Sequence, residues 1–509
     1  MRSLLFAIVW SLHLLLLPYA VSQDGEREDG WLNQHNPDTG TTLRSKQLTL
    51  HRQSEPEPAL RYRFLPNAFE AVPGNAALYY LKAMGFLEQT SARDRITEIY
   101  QTASEQANEQ GQSMADIPPH VWLSTPPQQL PIDEVKDFLH LTSFQVPMLK
   151  EAAARSDFHL DRNLRDVEDL IAYLLPEIQT MRELARLNSM RCRLAVAENR
   201  IDDAIEICGQ QFALARHLGK DDFLVCNLVG VAIGSIGWND LLYVVQHPDA
   251  PNLYWALAAL PDPLVDNRRA MAIEHQLLYL QLPALKEVSV EPRSAEYWQV
   301  FLDRLAAEPN SLYTEFGWDA SDAETRRAMM VAGIAASYPS AKKYLIDVVA
   351  LPPEQVEAYP TAQVVLLAMV KFYDHWRDEY FKWEHVPFWQ RHTTPDGADR
   401  SSRLSAAAKQ AGWFALPADT LIPLLGSIDT TEVRLQQQIA LLQTVESIRA
   451  YAAAHGGDLP ASLQDLELPA PVDPHTGQPL RYERNADHAV LTGQTNRSIE
   501  TRLIVRIAP

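Results

Sequence analysis

Residues 164–219 read LRDVEDLIAYLLPEIQTMRELARLNSMRCRLAVAENRIDDAIEICGQQFALARHLG, and the spacing of their apolar side chains decides the fold class. Leu164, Val167, Ile171, Leu174, Leu175 and Ile178 recur at intervals of three and four, the repeat of one helix face. A strand would alternate every second residue, so this stretch and its continuation to Gln246 are expected to be helical. Its centre reads as a helical hairpin: one helix ends near Glu198-Asn199-Arg200, and the next opens at Asp202, a residue type that caps helix N-termini. Ile205, Cys208, Phe212 and Ala215 share a face of the second helix, which stops at Gly219. Cys192 and Cys208 are equally far from Arg200, so they are expected to face each other across the hairpin, either as two buried thiols or as a disulfide.

Outward from the hairpin, Leu224 to Trp238 is apolar and carries Gly230 and Gly234 at the spacing that lets a neighbouring helix approach closely. It falls short of the ~20 apolar residues that cross a bilayer, which predicts a buried helix. Further helical stretches are expected at Asn252 to Leu282, broken by Pro261 and Pro263, and around Ala341 to Val349 and Thr361 to Tyr373. Prolines from Pro118 to Pro131 mark a connection, with Pro131 suited to start a helix. Upstream, Arg61 to Leu65 reads as a short strand, and Asn75 as the cap of a helix. The chain ends differently: a helix from about Thr431 stops at His455-Gly456-Gly457, and three strand-like runs follow at residues 481–483, 489–491 and 502–505. The expected fold is therefore mainly α, packed helical hairpins with a small C-terminal antiparallel β appendage.

The N-terminus has the parts of a secretory signal in order: Arg2, an apolar run from Leu4 to Leu17, and small residues at Ala20 and Ser22. Four segments are expected: a signal peptide at 1–22, a polar linker or arm at 23–58, an α-helical body at 59–430, and a helix with a small β module at 431–509. The protein is expected to be exported to the periplasm or beyond, with membrane contact only through residues 4–20 if the signal stays uncleaved. With 45 Lys and Arg against 65 Asp and Glu, the formal charge is −20, which works against binding a phosphate backbone. No nucleic-acid partner is therefore expected. Three cysteines in 509 residues, without CxxC spacing, build neither a disulfide scaffold nor a structural zinc site.

Residues 60–83, 212–233, 250–266 and 459–482 together resemble a family of exported proteins of unknown function from planctomycete bacteria. That family ends in a pattern spelled here by His455 to Tyr482, with Leu459-Pro460, Val472-Asp473-Pro474, Gly477 and Pro479-Leu480-Arg481-Tyr482. The resemblance implies a cell-envelope setting and no particular activity, catalytic residue or ligand. Residues 197–219 resemble the second half of a tetratricopeptide repeat, and the terminal pattern is similar to the C-terminal part of type II secretion pseudopilins.

Phosphate-cradling loops, GxSxG elbows and HExxH helices are absent from the sequence. The strongest chemical candidate is His375 with Glu379, four residues apart and so on one helix face, where an imidazole and a carboxylate hold a metal; His385 and His392 stand ready as further ligands. Trp376, Trp383, Phe388 and Trp389 make the same stretch legible as an aromatic packing surface. Glu274-His275 and the acidic residues from Asp319 to Glu324 offer acid–base groups without a visible partner. No catalytic, metal or cofactor residue is assigned. The expected function is a non-catalytic interaction or scaffolding protein of the envelope with a protein partner; the alternative is a metal-assisted hydrolase around His375 and Glu379.

Overall fold

The computed structural model describes residues 25–26, 29–37, 40–85, 91–109, 111, 117–167, 169–170, 173–307, 310–316, 322–422, 426–494 and 499–509; the expected signal peptide, 1–22, lies outside them. The principal helices are α1 (Ala77–Ala83), α2 (Gln145–Ala153), α3 (Pro176–Ala197), α4 (Ile201–Leu218) and α5 (Leu224–Val244), then α6 (Ala295–Ala307), α7 (Ala323–Asp347), α8 (Thr361–Phe381) and α9 (Gly426–Ala454). The strands are β1 (Gly25–Glu26), β2 (Trp31–Asn36), β3 (Thr41–Leu50), β4 (Val72–Asn75), β5 (Arg155–Asp157), β6 (Arg481–Arg484), β7 (Ala489–Gly493) and β8 (Ile499–Ile507). Contacts divide the described chain into two compact units. One, the sheet-bearing unit, holds residues up to 160 together with 175–270 and 431–509; the other, the helical unit, holds 161–174 and 271–430. Residues 59–430 are divided between the two units.

The fold is mainly α with a small C-terminal antiparallel sheet, as the periodicity predicts. In the hairpin, α3 starts with Pro176 in its first turn, where the missing N–H costs nothing. Its other end closes through Asn199 in the left-handed region (φ 59°) and a bond from Arg200 N to Ala195 O at 2.8 Å. The next helix opens at Ile201 rather than being capped by Asp202, which lies in the first turn beside Asp203. Arg200 holds the corner by pairing with Glu198 (2.7 Å) and Asp203 (2.5 Å). Helix α5 packs on this hairpin, buried over most of its length. The expected helix from Leu164 does not form: only a single tight turn at Leu164–Asp166 is present, Asp161 and Asn163 have φ of 46° and 48°, and Leu174 is exposed. Pro176 explains the break, because its ring forces Leu175 out of helical geometry (φ −122°, ψ 62°).

Residues 31–50 do not form the expected polar arm but two strands of a six-stranded sheet in the order β1-β2-β3-β8-β7-β6. All pairings are antiparallel except β3 with β8, which run parallel with Leu48 opposite Val505 and Leu50 opposite Ile507. Trp31, Leu48 and Leu50 sit in the same core as Leu491, Leu503 and Val505. Composition hides these strands because β3 buries Thr42, Ser45 and Lys46 as well, and because β8 comes from the far end of the chain. Residues 61–65 are loop rather than strand; Phe64 meets Phe212 edge-on at 5.2 Å.

Helix α9 packs Leu441, Leu442, Val445 and Ile448 into that core and ends where Gly456 and Gly457 take positive φ (65° and 101°), as expected. Near this end, Arg449 and Glu446 form an ion pair with no solvent exposure (2.9 Å). Burial pushes the Glu446 carboxyl up and Arg449 opposes it. The guanidinium also donates to the carbonyls of His51 (3.1 Å), Ala250 (3.0 Å) and Pro251 (3.3 Å), so α9 is tied to two loops at once. In the helical unit α7 packs on α8, and Gly333 lets Trp413 lie against α7: a Cβ there would come within 2.5 Å of the indole.

Candidate functional site

Helix α8 carries His375 and Glu379 of the residues singled out for metal chemistry, and His385 and His392 follow it in the chain. His375 is exposed and meets the edge of the Trp376 ring (5.6 Å between centroids), while Glu379 accepts from Lys382 Nζ at 2.5 Å. His385 ends a tight turn at Lys382–His385, and the ring of His392 packs on Phe388 at 4.1 Å. The side chains of His375, Glu379 and His392 are each engaged by a different neighbour. Among the described residues no group of three or more His, Cys, Asp and Glu side chains is placed to hold a metal ion.

The neighbouring stripe of α8 answers a different question raised by the sequence, the partner of Glu274-His275. His275 Nε2 donates to Asp378 Oδ1 at 3.1 Å, and its Nδ1 accepts from Gln276 Nε2 at 2.9 Å, which sets the tautomer. Arg377 bonds Asp378 and Asp374, both at 2.9 Å, and Tyr279 donates to Asp374 at 2.7 Å. Burial raises the Glu274 carboxyl to about 7 and also pushes the Tyr373 and Tyr279 phenols up. These groups have acid–base character, yet both imidazole nitrogens are occupied and Asp378 is shared with Arg377. The arrangement joins the 275–279 segment to α8 within the helical unit. An apolar void lined by Leu282, Leu302, Ile334, Leu366, Met369 and Trp413 has a volume of about 10 Å³, room for one water-sized sphere.

In the sheet-bearing unit a buried charged cluster fastens the N-terminal strands. Lys46 on β3 donates to Asp29 O at 2.8 Å, a carbonyl that also accepts from Tyr243 OH at 3.2 Å, and its ammonium lies 4.3 Å from the centre of the Tyr243 ring. Desolvation lowers Lys46 to about 7, Asp29 opposes the shift, and Arg193 and Arg44 add to it. Asp240 on α5 accepts from Ser189 Oγ at 2.8 Å and faces Arg193 at 3.5 Å; burial raises it to about 6. Lys46 and Asp240 are 5% and 1% exposed, so the cluster is closed to a substrate and acts on the position of β2 and β3.

A surface turn at residues 67–71 is built differently. Asn67 Oδ1 accepts the N–H groups of Phe69 (2.8 Å) and Glu70 (3.0 Å), and Glu70 Oε2 accepts Asn67 N–H (3.0 Å). This is the reciprocal geometry of a helix capping box, used here to close a single turn. Arg63 braces Glu70 from outside at 3.2 Å, and Val72 N–H bonds Ala154 O at 2.8 Å, where β4 pairs with β5. The braced tip displays Phe69, which is 100% exposed. Leu60 and Leu78 are exposed as well (52% and 49%). Periodicity does not reveal this turn, although Asn67-Ala68-Phe69-Glu70 carries the capping-box spacing. The signal was masked because no helical period follows it.

No family model, no curated protein and no solved structure matches the chain.

Proposed function

We propose that the protein is an exported, non-catalytic interaction protein of the cell envelope, and that the Phe69 turn belongs to the surface that meets its protein partner. One observation carries the reading: four hydrogen bonds brace the turn whose tip displays a fully exposed phenylalanine. A turn whose backbone is ordered in advance loses little main-chain freedom on binding, and its phenylalanine offers a large apolar area. The signal-like order of Arg2, Leu4 to Leu17, Ala20 and Ser22 and the planctomycete-like C-terminal pattern supply the envelope setting. The net charge of −20 favours a protein partner over nucleic acid.

Cross-linking and capture from native envelope, comparing the wild-type chain with Phe69→Ser, tests it. Burial of one phenylalanine contributes roughly 1.5–3 kcal/mol, so the variant is expected to lose about tenfold or more in affinity for the captured partner at an unchanged unfolding midpoint. Equal capture by both proteins removes Phe69 from the interface. The metal-assisted hydrolase reading at His375 and Glu379 ranks lower, since Glu379 is already paired with Lys382. Stoichiometric zinc in the purified protein, lost in His375→Ala, reverses that ranking.

A further inference from the structure

The α3–α4 hairpin brings two thiols into contact. Cys192 Sγ lies 3.6 Å from Cys208 Sγ, and both residues are buried (1% and 0% exposed). Cys192 Sγ also lies 3.7 Å from the carbonyl oxygen of Ala204, so this side chain reaches the backbone of the facing helix. Such an approach depends on small residues: Ala185 and Ala195 on α3 and Ala204 on α4 are buried here, and Gln211 Nε2 crosses to Ala185 O at 2.9 Å. A disulfide needs its sulfurs about 2 Å apart, a closure that small side-chain rotations supply when helices already stand this near.

We propose that Cys192 and Cys208 are a cross-link site, joined by a disulfide that ties α3 to α4 in the mature protein. One S–S bond forms, and the two thiols give up two protons and two electrons. The acceptor is another disulfide, that of oxidised glutathione or of a disulfide-donating oxidoreductase, whose own S–S bond breaks into two thiols. The exchange passes through a mixed disulfide and so needs one sulfur open to solvent. In the packed hairpin neither is, and burial holds the Cys208 thiol in its unreactive protonated form. The bridge therefore forms while the hairpin assembles, before the core closes over it. Formation in the cell rests on the export reading, because an oxidising compartment is required. The chemistry of the hairpin does not, and the test separates the two.

The full chain is reduced, unfolded and refolded in a glutathione redox buffer, then alkylated under denaturing conditions and mapped by peptide mass. The expected product contains a 192–208 link and one alkylated thiol, on Cys226. Closing a loop of this length is expected to lower the unfolding equilibrium constant roughly a hundredfold relative to the reduced chain. Three alkylated thiols in natively refolded protein, or a bridge involving Cys226, overturns the proposal. The wild-type map decides the matter even if Cys192→Ser or Cys208→Ser fails to fold; where they fold, each is expected to lose the stability gained on oxidation. Cell fractionation reads export separately, so failure of that reading leaves the hairpin result intact.

Discussion

His217 shows how a single side chain couples packing to pH. Its Nε2 donates to Arg155 O at 3.1 Å, which leaves Nδ1 to accept from Tyr80 OH at 2.9 Å, and the ring stacks on Phe158. The imidazole is thus held neutral between β5, α1 and α4, and burial lowers its pKa to about 3. In the unfolded chain the same group takes up a proton near 6.5. Between those values the unfolded state binds more protons, so stability falls as the pH falls. The contribution is complete above about 6.5 and is lost toward 3, at up to about 1.4 kcal/mol per pH unit. Urea unfolding of the wild type and His217→Gln at pH 7.5, 5.5 and 4.5 checks this. The variant starts less stable, but the gap between the two proteins is expected to narrow with acidity. A gap of constant size across that range rejects the account.

At the scale of the element, the two glycines of α5 face different neighbours. A Cβ on Gly230 would stand 2.8 Å from Ala215 O, a backbone atom of α4 that cannot retreat without moving the helix. A Cβ on Gly234 would stand 2.7 Å from Leu435 Cδ2, the far end of a flexible side chain on α9. Replacing glycine in a helix also gains about 1 kcal/mol of propensity, the same at both sites. Gly230→Ala is therefore expected to destabilise by roughly 1–3 kcal/mol, as overpacking does, while Gly234→Ala stays near neutral. Equal urea midpoints for the two variants would sink the distinction. The spacing of these glycines, the hairpin turn at Asn199 and the stop at Gly456-Gly457 are all legible in sequence because each is a local choice of backbone conformation or size. Strand β3 is not, since its identity comes from pairing with β8. Local pattern also misleads at residues 164–175, where the apolar period continues but Pro176 decides the geometry. The candidate site was the least legible part: the spacing of His375 and Glu379 is real, yet their neighbours Trp376 and Lys382 take up the two side chains.

Over the whole molecule, the path of the chain makes most of the helical unit an insertion. The sheet-bearing unit leaves at residue 270 and resumes at 431. The two crossing points lie together, because Asn267 Nδ2 donates to Glu432 Oε2 at 2.6 Å. Arg269 is fixed nearby through its bond to Asp222 at 2.5 Å. Among the described residues, the apolar cluster that runs from Trp31 through α3, α4, α5 and α9 to Val505 draws no side chain from 271–430. Residues 161–174 would remain as a connection between Leu160 and Leu175, whose ends stay anchored in the same core. Loop-closure entropy changes slowly with length, and a short Gly/Ser linker from Ala270 to Thr431 replaces the insertion at little cost. The excised chain is expected to keep near-ultraviolet circular dichroism and a single cooperative urea transition, the marks of fixed tertiary packing. A gradual transition with loss of the near-ultraviolet signal would show that this core depends on the helical unit to fold.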